Sequence, residues 1–232
     1  MTFEDARRLT EVLMAVAFVQ QGVEHLAGPP RDRPWFVLQV ALALLLAAGV
    51  EPAVLGGLLL LVTLALLRRF GGPYNGGSDR MRLLVLTCVW ASRLAPGVTL
   101  PRIALGYLAV QVVLSYTIAG WVKLANADWR TGRALADVFA FSAYPVSGQW
   151  RACAGWPRVM LVLSWATLMF ELLFPIALVS APALAAALAA AFLFHLVNAA
   201  AFGLNRFVWI WVATYPALLW FQQEFLAPIL PW

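Results

Sequence analysis

Long apolar stretches separated by short polar connections dominate this sequence. About 20 apolar residues in a helix cross a bilayer, and eight stretches have close to that length, so we expect an all-α polytopic membrane helix bundle of about eight spans. The expected spans are residues 8–27, 35–50, 52–68, 82–96, 101–124, 158–180, 182–203 and 206–226. Short connectors around Glu51 and Ala181 predict two tight helical hairpins. The fourth span is the weakest, because Arg80, Arg82 and Arg93 confine its apolar part.

The longest polar connection lies between the fifth and sixth spans, from Asn126 to Arg158. Its first half, Trp129 to Phe141, places apolar and polar side chains on opposite faces of a helix. A helix of that kind lies at the membrane surface, so we expect an interfacial amphipathic helix near residues 130–142. The tryptophans of this connection suit the headgroup region.

Composition excludes a soluble protein. The chain is 63% hydrophobic, with a mean hydropathy of +0.82, and only 12% of its residues are charged, against about 25% in soluble domains. No polar stretch is long enough for a second domain, so residues 1–232 are interpreted as one transmembrane domain. The net charge of +5 is explained by loop arginines that contact anionic lipid headgroups, and it requires no nucleic acid.

Two cysteines and two histidines are too few for a typical zinc site, so we expect no metal.

Most of the 16 basic residues fall on one face of the eight-span topology. The positive-inside rule then places both termini outside. A basic functional site on an outward face would produce the same distribution, so both interpretations stay open.

The only lysine, Lys123, lies at the end of the fifth span. A charged amine near the bilayer core costs about 3 kcal/mol, and a desolvated lysine readily acts as a base. Tyr116, Gly120 and Lys123 share one helix face at i, i+4 and i+7, which predicts a notch for a ligand or a helix. The alternative is a packing glycine beside a lysine that reaches the interface and pairs with Asp128.

Polar residues also occur inside the sixth and seventh spans. His195 and Asn198 lie one turn apart and must face the interior of the bundle, either in a functional site or as hydrogen-bonded links between helices. Glu171 lies in the middle of the sixth span, so we expect it to be protonated or paired with an arginine or a histidine.

Two further polar segments are open to interpretation. The connector from Gly71 to Asp79 lacks the lysine of a phosphate-binding loop, but its glycines would let backbone approach a ligand; an ordinary loop is the alternative. The first span ends in four polar residues, namely Gln20, Gln21, Glu24 and His25. A site or a water-facing helix end explains them equally well.

Taken together, the sequence resembles the HTTM family, the membrane domain shared by vitamin K-dependent gamma-carboxylases and many bacterial proteins. The matching segments are Ala119-Gly120-Trp121-Val122-Lys123-Leu124, followed by Ala127-Asp128-Trp129, and Phe194-His195-Leu196-Val197-Asn198. In the carboxylases the lysine of the first segment is held to be the base that engages vitamin K hydroquinone, so the resemblance places that role on Lys123. The carboxylases also carry a histidine in the loop where this chain has Asn75. The candidate catalytic residues are Lys123 and His195, and the candidate cofactor-binding residues are Tyr116, Gly120, Asn198 and Asn75.

The resemblance implies a small integral membrane protein, of the bacterial plasma membrane, that uses a quinone-like or lipid-derived reductant. With Lys123 as the base, it would modify a peptide or small substrate, and its partners would be membrane lipids and a small secreted peptide. The alternative is a non-enzymatic accessory membrane protein for secreted-peptide maturation, export or immunity. A transporter is disfavoured, because no two matching halves contain a helix broken at mid-membrane.

Overall fold

The computed structural model describes residues 1–70, 76–142 and 147–229, and this part of the chain contains helices and turns but no strand. The expectation of an all-α fold is confirmed. The α-helices are α1 (Phe3–Leu26), α2 (Arg33–Ala47), α3 (Pro52–Arg69), α4 (Gly76–Leu94), α5 (Thr99–Ala125), α6 (Ala127–Arg130), α7 (Arg133–Phe141), α8 (Gly148–Ala152), α9 (Pro157–Leu173), α10 (Ala181–Phe202), α11 (Asn205–Val212) and α12 (Tyr215–Phe221).

Four described segments are long and apolar enough to cross a membrane. They are Pro52–Arg69, Thr99–Ala125, Pro157–Val179 and Ala181–Phe202, and they correspond to the third, fifth, sixth and seventh expected spans. The third of them is α9 continued by a 3-10 turn at Phe174–Val179. The protein is therefore a membrane protein. The other expected spans fall short of this criterion because α1 and α4 carry several charges and α2 has only 15 residues.

The prediction of one continuous helix at 206–226 is wrong. The chain forms α11, breaks before Tyr215, and continues as α12 and a π-helical turn at Gln222–Leu226. Pro216 lies in the first turn of α12, where its missing N–H costs nothing, whereas inside a longer helix it would remove a hydrogen bond. The Thr214 hydroxyl donates to the Trp211 carbonyl at 2.7 Å and closes the turn.

The helix expected near residues 130–142 is present as α7, which begins after Gly132, whose φ of 79° is in the left-handed region and separates α7 from the short helix α6. Trp129 and Arg130 accept hydrogen bonds through their carbonyls from side chains of α9, Ser164 at 2.5 Å and Trp165 at 3.0 Å. This connection is thus packed on α9. Residues 143–146 of the same connection lie outside the described part.

The helices cluster into two compact units. Unit 1 contains Met1–Ala109 and Arg206–Phe225, and in it α1 packs against α2, α4 and α12. Its fully buried side chains include Phe18, Phe36 and Trp220. Unit 2 consists mainly of Val110–Asn205. The interpretation of 1–232 as one domain stays a prediction.

Ion pairs allow the charged helices of unit 1 to pack. Glu11 of α1 is fully buried and accepts a hydrogen bond from Arg93 of α4 at 2.8 Å. Glu24 at the end of α1 accepts one from Arg206 at 2.8 Å. Buried charges are tolerated when they are paired in this way.

Candidate functional site

An ion pair between Lys123 and Glu171 joins α5 to α9 in unit 2. The Lys123 ammonium donates to Glu171 Oε2 at 2.5 Å, and the two side chains are 17% and 6% exposed. Glu171 therefore has the polar partner that its mid-span position predicts, although that partner is a lysine and not an arginine or a histidine. Asp128 lies 3.9 Å from Arg133 instead, so the expected alternative of a Lys123–Asp128 pair is wrong.

Gly120 is the residue that lets this pair form. A Cβ atom at Gly120 would lie 2.6 Å from the backbone nitrogen of Leu172 and 3.1 Å from the carbonyl carbon of Glu171. The backbones of α5 and α9 are consequently in direct contact at this level, which only a glycine permits. Lys123, one turn further along α5, is thereby brought within hydrogen-bonding distance of Glu171.

A second buried polar pair links α5 to α10. The Tyr116 hydroxyl and Nε2 of His195 share a hydrogen bond of 2.9 Å, and both residues are buried. The Tyr116 ring also stacks on Phe174, with 4.3 Å between ring centroids. A buried tyrosine needs a partner for its hydroxyl, and His195 supplies it.

Lys123 also lines a cavity of about 280 Å³ in unit 2. The cavity wall is largely aromatic and aliphatic and includes Trp129, Thr167, Phe194, Asn198 and Phe202. The Lys123 nitrogen lies 5.1 Å from the centroid of the Trp129 ring, within the range of a cation–π contact. An apolar cavity with a few polar groups at fixed positions is typical of sites for small molecules.

The structure divides four of the six candidate residues into two groups. Lys123 and Asn198 line the same cavity, while Tyr116 and His195 form the adjacent buried pair and are not among the described residues of the cavity wall. Gly120 supports the helix contact. Asn75 lies outside the described residues.

Two residues of the site were not among the sequence candidates. Glu171 was noted as a mid-span carboxylate, and Trp129 as a residue of the amphipathic segment and of the HTTM-like segment, and neither was given a role in the site. A lone lysine and a mid-span carboxylate in neighbouring spans each need an opposite charge, and that signal makes Glu171 a candidate partner of Lys123 beside Asp128.

The pair has a clear chemical capability. Two opposite charges in a medium of low dielectric constant attract each other strongly, and one proton lies on the hydrogen bond between them. If this proton moves from the Lys123 nitrogen to the Glu171 carboxylate, a neutral amine faces the cavity. The arrangement can therefore accept a proton from a molecule in the cavity.

The family model for the HTTM domain matches residues 89–224, which is more than half of the chain. This chain belongs to the HTTM family. No curated protein and no solved structure matches it. The HTTM match includes all four polar residues of the two buried pairs, Tyr116, Lys123, Glu171 and His195.

Proposed function

We propose that this HTTM protein is a membrane enzyme that uses Lys123 as a base beside a quinone-like or lipid-derived reductant. The enzyme modifies a peptide or small substrate, and a small secreted peptide is the substrate that the family resemblance favours. The observation that carries the proposal is the Lys123–Glu171 pair at the wall of an aromatic cavity.

The residues of the cavity fit a small ring headgroup. Its volume of about 280 Å³ is near the lower end of the range for ligand pockets, about 300 Å³, so one or two rings fit while a lipid tail extends outside. Trp129 and Phe194 offer faces on which a planar ring stacks. The Asn198 amide and the Lys123 amine can both bind ring oxygens. A hydroquinone bound here would supply an acidic hydroxyl and two electrons.

Each polar residue then has a separate role. Glu171 takes a proton from Lys123, and the neutral amine of Lys123 takes a proton from the hydroxyl held in the cavity. Asn198 orients that hydroxyl by hydrogen bonding, and the aromatic wall excludes water, which strengthens the electrostatic interactions inside. Tyr116 and His195 hold α5 against α10, so that Lys123 keeps its position.

The proposed topology extends beyond the four apolar spans. We infer that α1, α2, α4 and the α11–α12 segment also cross the bacterial plasma membrane, which gives about eight spans. Paired charges such as Glu11–Arg93 support this inference, because they remove the main obstacle to placing α1 and α4 in a bilayer. Both termini are then on the outer side by the positive-inside rule.

Mass spectrometry of the lipids that copurify with the protein tests the proposed cofactor. Thr167 lines the cavity, so Thr167→Phe narrows it without changing any charge. We expect a quinone-like molecule in the extract of the wild type and about tenfold less in Thr167→Phe, a loss that corresponds to about 1.4 kcal/mol of binding.

Leu163→Phe is the matched control, because Leu163 lies one turn earlier on α9 and its side chain is exposed. This variant should retain the wild-type amount of the copurified molecule. Extracts without any quinone-like molecule, or with equal amounts from all three proteins, would contradict the proposed cofactor.

A further inference from the structure

Arg82 of α4 is a buried cation whose hydrogen-bonding capacity is only partly used. It is 4% exposed, and its Nη2 donates to Asp79. Its Nε and Nη1 atoms have no hydrogen-bond partner within residues 1–70, 76–142 and 147–229. A buried donor left in this way costs free energy, and more when it is charged. A ligand with an acceptor oxygen would recover that free energy.

Arg82 lines a small cavity in unit 1 that lies beside a larger cleft. The inner cavity has a volume of about 30 Å³. Its other polar walls come from Gln21, His25, Gln39, Thr63 and Asp79. The outer cleft has a volume of about 390 Å³. The two spaces share a wall of three residues, which are His25, Phe36 and Phe70.

The charged residues around these two spaces do not balance. The described lining residues carry three guanidinium groups, those of Arg31, Arg82 and Arg206, and three carboxylates, those of Glu24, Asp32 and Asp79. Arg69, the ion-pair partner of Asp32, adds a fourth guanidinium group. Three of these guanidinium groups pair with the three carboxylates, and when the histidine is neutral one positive charge is left over, that of Arg31, whose side chain is 80% exposed. A ligand with one negative charge neutralises this part of the protein.

The shape of the space defines the rest of the ligand. The inner cavity, at about 30 Å³, is only two to three times the volume that one water molecule requires, about 10–15 Å³. It therefore has room for a small anionic group and for no more of the ligand. The outer cleft is within the range of pockets for small molecules, about 300–1,000 Å³. Apolar walls from Phe36, Leu66 and Phe70 favour a ligand with an apolar part behind its headgroup.

We propose that unit 1 binds a monoanionic amphipathic molecule whose carboxylate or phosphate group contacts Arg82 and whose apolar body occupies the outer cleft. Among the residues that the structure describes, those that line this site differ from those that line the Lys123 cavity.

Thermal unfolding of the purified protein in a neutral detergent tests the proposal. The probes are acetate and inorganic phosphate, which are free anions, and dodecanoate and phosphatidylglycerol, which carry the same groups on an apolar body. A ligand that binds only the folded protein raises its Tm. We expect dodecanoate or phosphatidylglycerol to raise the Tm at concentrations at which the free anions have little effect. A rise with acetate or phosphate alone would mean that the anion site takes a free ion, and the amphipathic part of the proposal would fail.

Three variants make the test specific. Arg82→Lys keeps the charge but removes the two unused donors, and it should need about tenfold more ligand for the same rise, which is 1.4 kcal/mol of binding. Leu67→Trp narrows the inner cavity while Arg82 is unchanged, and it should show the same loss, so it decides the matter if Arg82→Lys does not fold. Arg102→Lys, at the exposed pair with Glu224, should respond like the wild type.

Two results would overturn the proposal. The first is a wild-type Tm that none of the four probes raises, which would leave the inner cavity to water. The second is an equal response in the wild type, Arg82→Lys and Leu67→Trp, which would mean that the anions act elsewhere on the surface.

Discussion

Replacing Glu171 with leucine is expected to lower the free energy of unfolding by about 3 kcal/mol. The substitution leaves the Lys123 ammonium, only 17% exposed, without its carboxylate, and removal of one partner from a buried ion pair typically costs about 3–5 kcal/mol. Denaturant unfolding in mixed micelles measures this loss. An unchanged stability would mean that Lys123 does not depend on Glu171.

The double variant Lys123→Met/Glu171→Leu tests whether the two residues interact directly. Replacement of a buried ion pair by apolar residues of similar size is often neutral, so the double variant should regain most of the stability that Glu171→Leu loses. The two single variants and the double variant form a cycle that measures the coupling between the residues directly. A double variant that is as unstable as the sum of the single variants would contradict a direct interaction.

Gly120→Ala is expected to destabilise the protein by about 1–3 kcal/mol, the usual cost of overpacking. The added Cβ would lie 2.6 Å from a backbone nitrogen of α9, and a helix backbone cannot move aside as the end of a side chain can. The same unfolding measurement in mixed micelles applies.

Gly106→Ala on the same helix is the matched control. A Cβ at Gly106 would be 3.6 Å from the Phe221 ring, which is an ordinary contact, and alanine favours a helix by about 1 kcal/mol relative to glycine. The two substitutions should therefore change stability in opposite directions. Equal effects would show that α5 and α9 are not in contact at Gly120.

The positions of most helices could be predicted from the apolar runs. The expected spans 52–68, 101–124 and 182–203 differ from α3, α5 and α10 by at most two residues at each end, because a bilayer requires a run of defined length and composition. The eighth run, residues 206–226, was also long enough to cross a bilayer. There the proline at position 216 decided the structure, since a local loss of backbone hydrogen bonding outweighs hydrophobicity.

The candidate site was predictable within a helix but not between helices. The spacing of Tyr116, Gly120 and Lys123 correctly placed them on one inward face of α5. The contact of Lys123 with Glu171 depends on how α5 and α9 align, and no local pattern encodes that alignment. Gly120 determines it through the close approach of the two backbones.

His195 and Asn198 show a related limit. Their spacing of three residues predicted a shared helix face, yet His195 pairs with Tyr116 while Asn198 lines the cavity. Residues at i and i+3 are about 60° apart around a helix with 3.6 residues per turn. That angle is sufficient to direct two side chains on α10 to different neighbours.

The oxidation of a reduced quinone by oxygen tests the role of Lys123 most directly. Removal of a hydroxyl proton makes a hydroquinone easier to oxidise, so a base in the cavity should accelerate its loss in proteoliposomes. Lys123→Arg keeps the positive charge beside Glu171 but cannot release a proton near neutral pH. We expect the wild type to oxidise reduced menaquinone at least about 100-fold faster than Lys123→Arg, the lower end of the range for general base catalysis, with equal amounts of folded protein and bound quinone. Equal rates for the two proteins, or a wild-type rate no higher than that of empty liposomes, would contradict the assignment of Lys123 as the base.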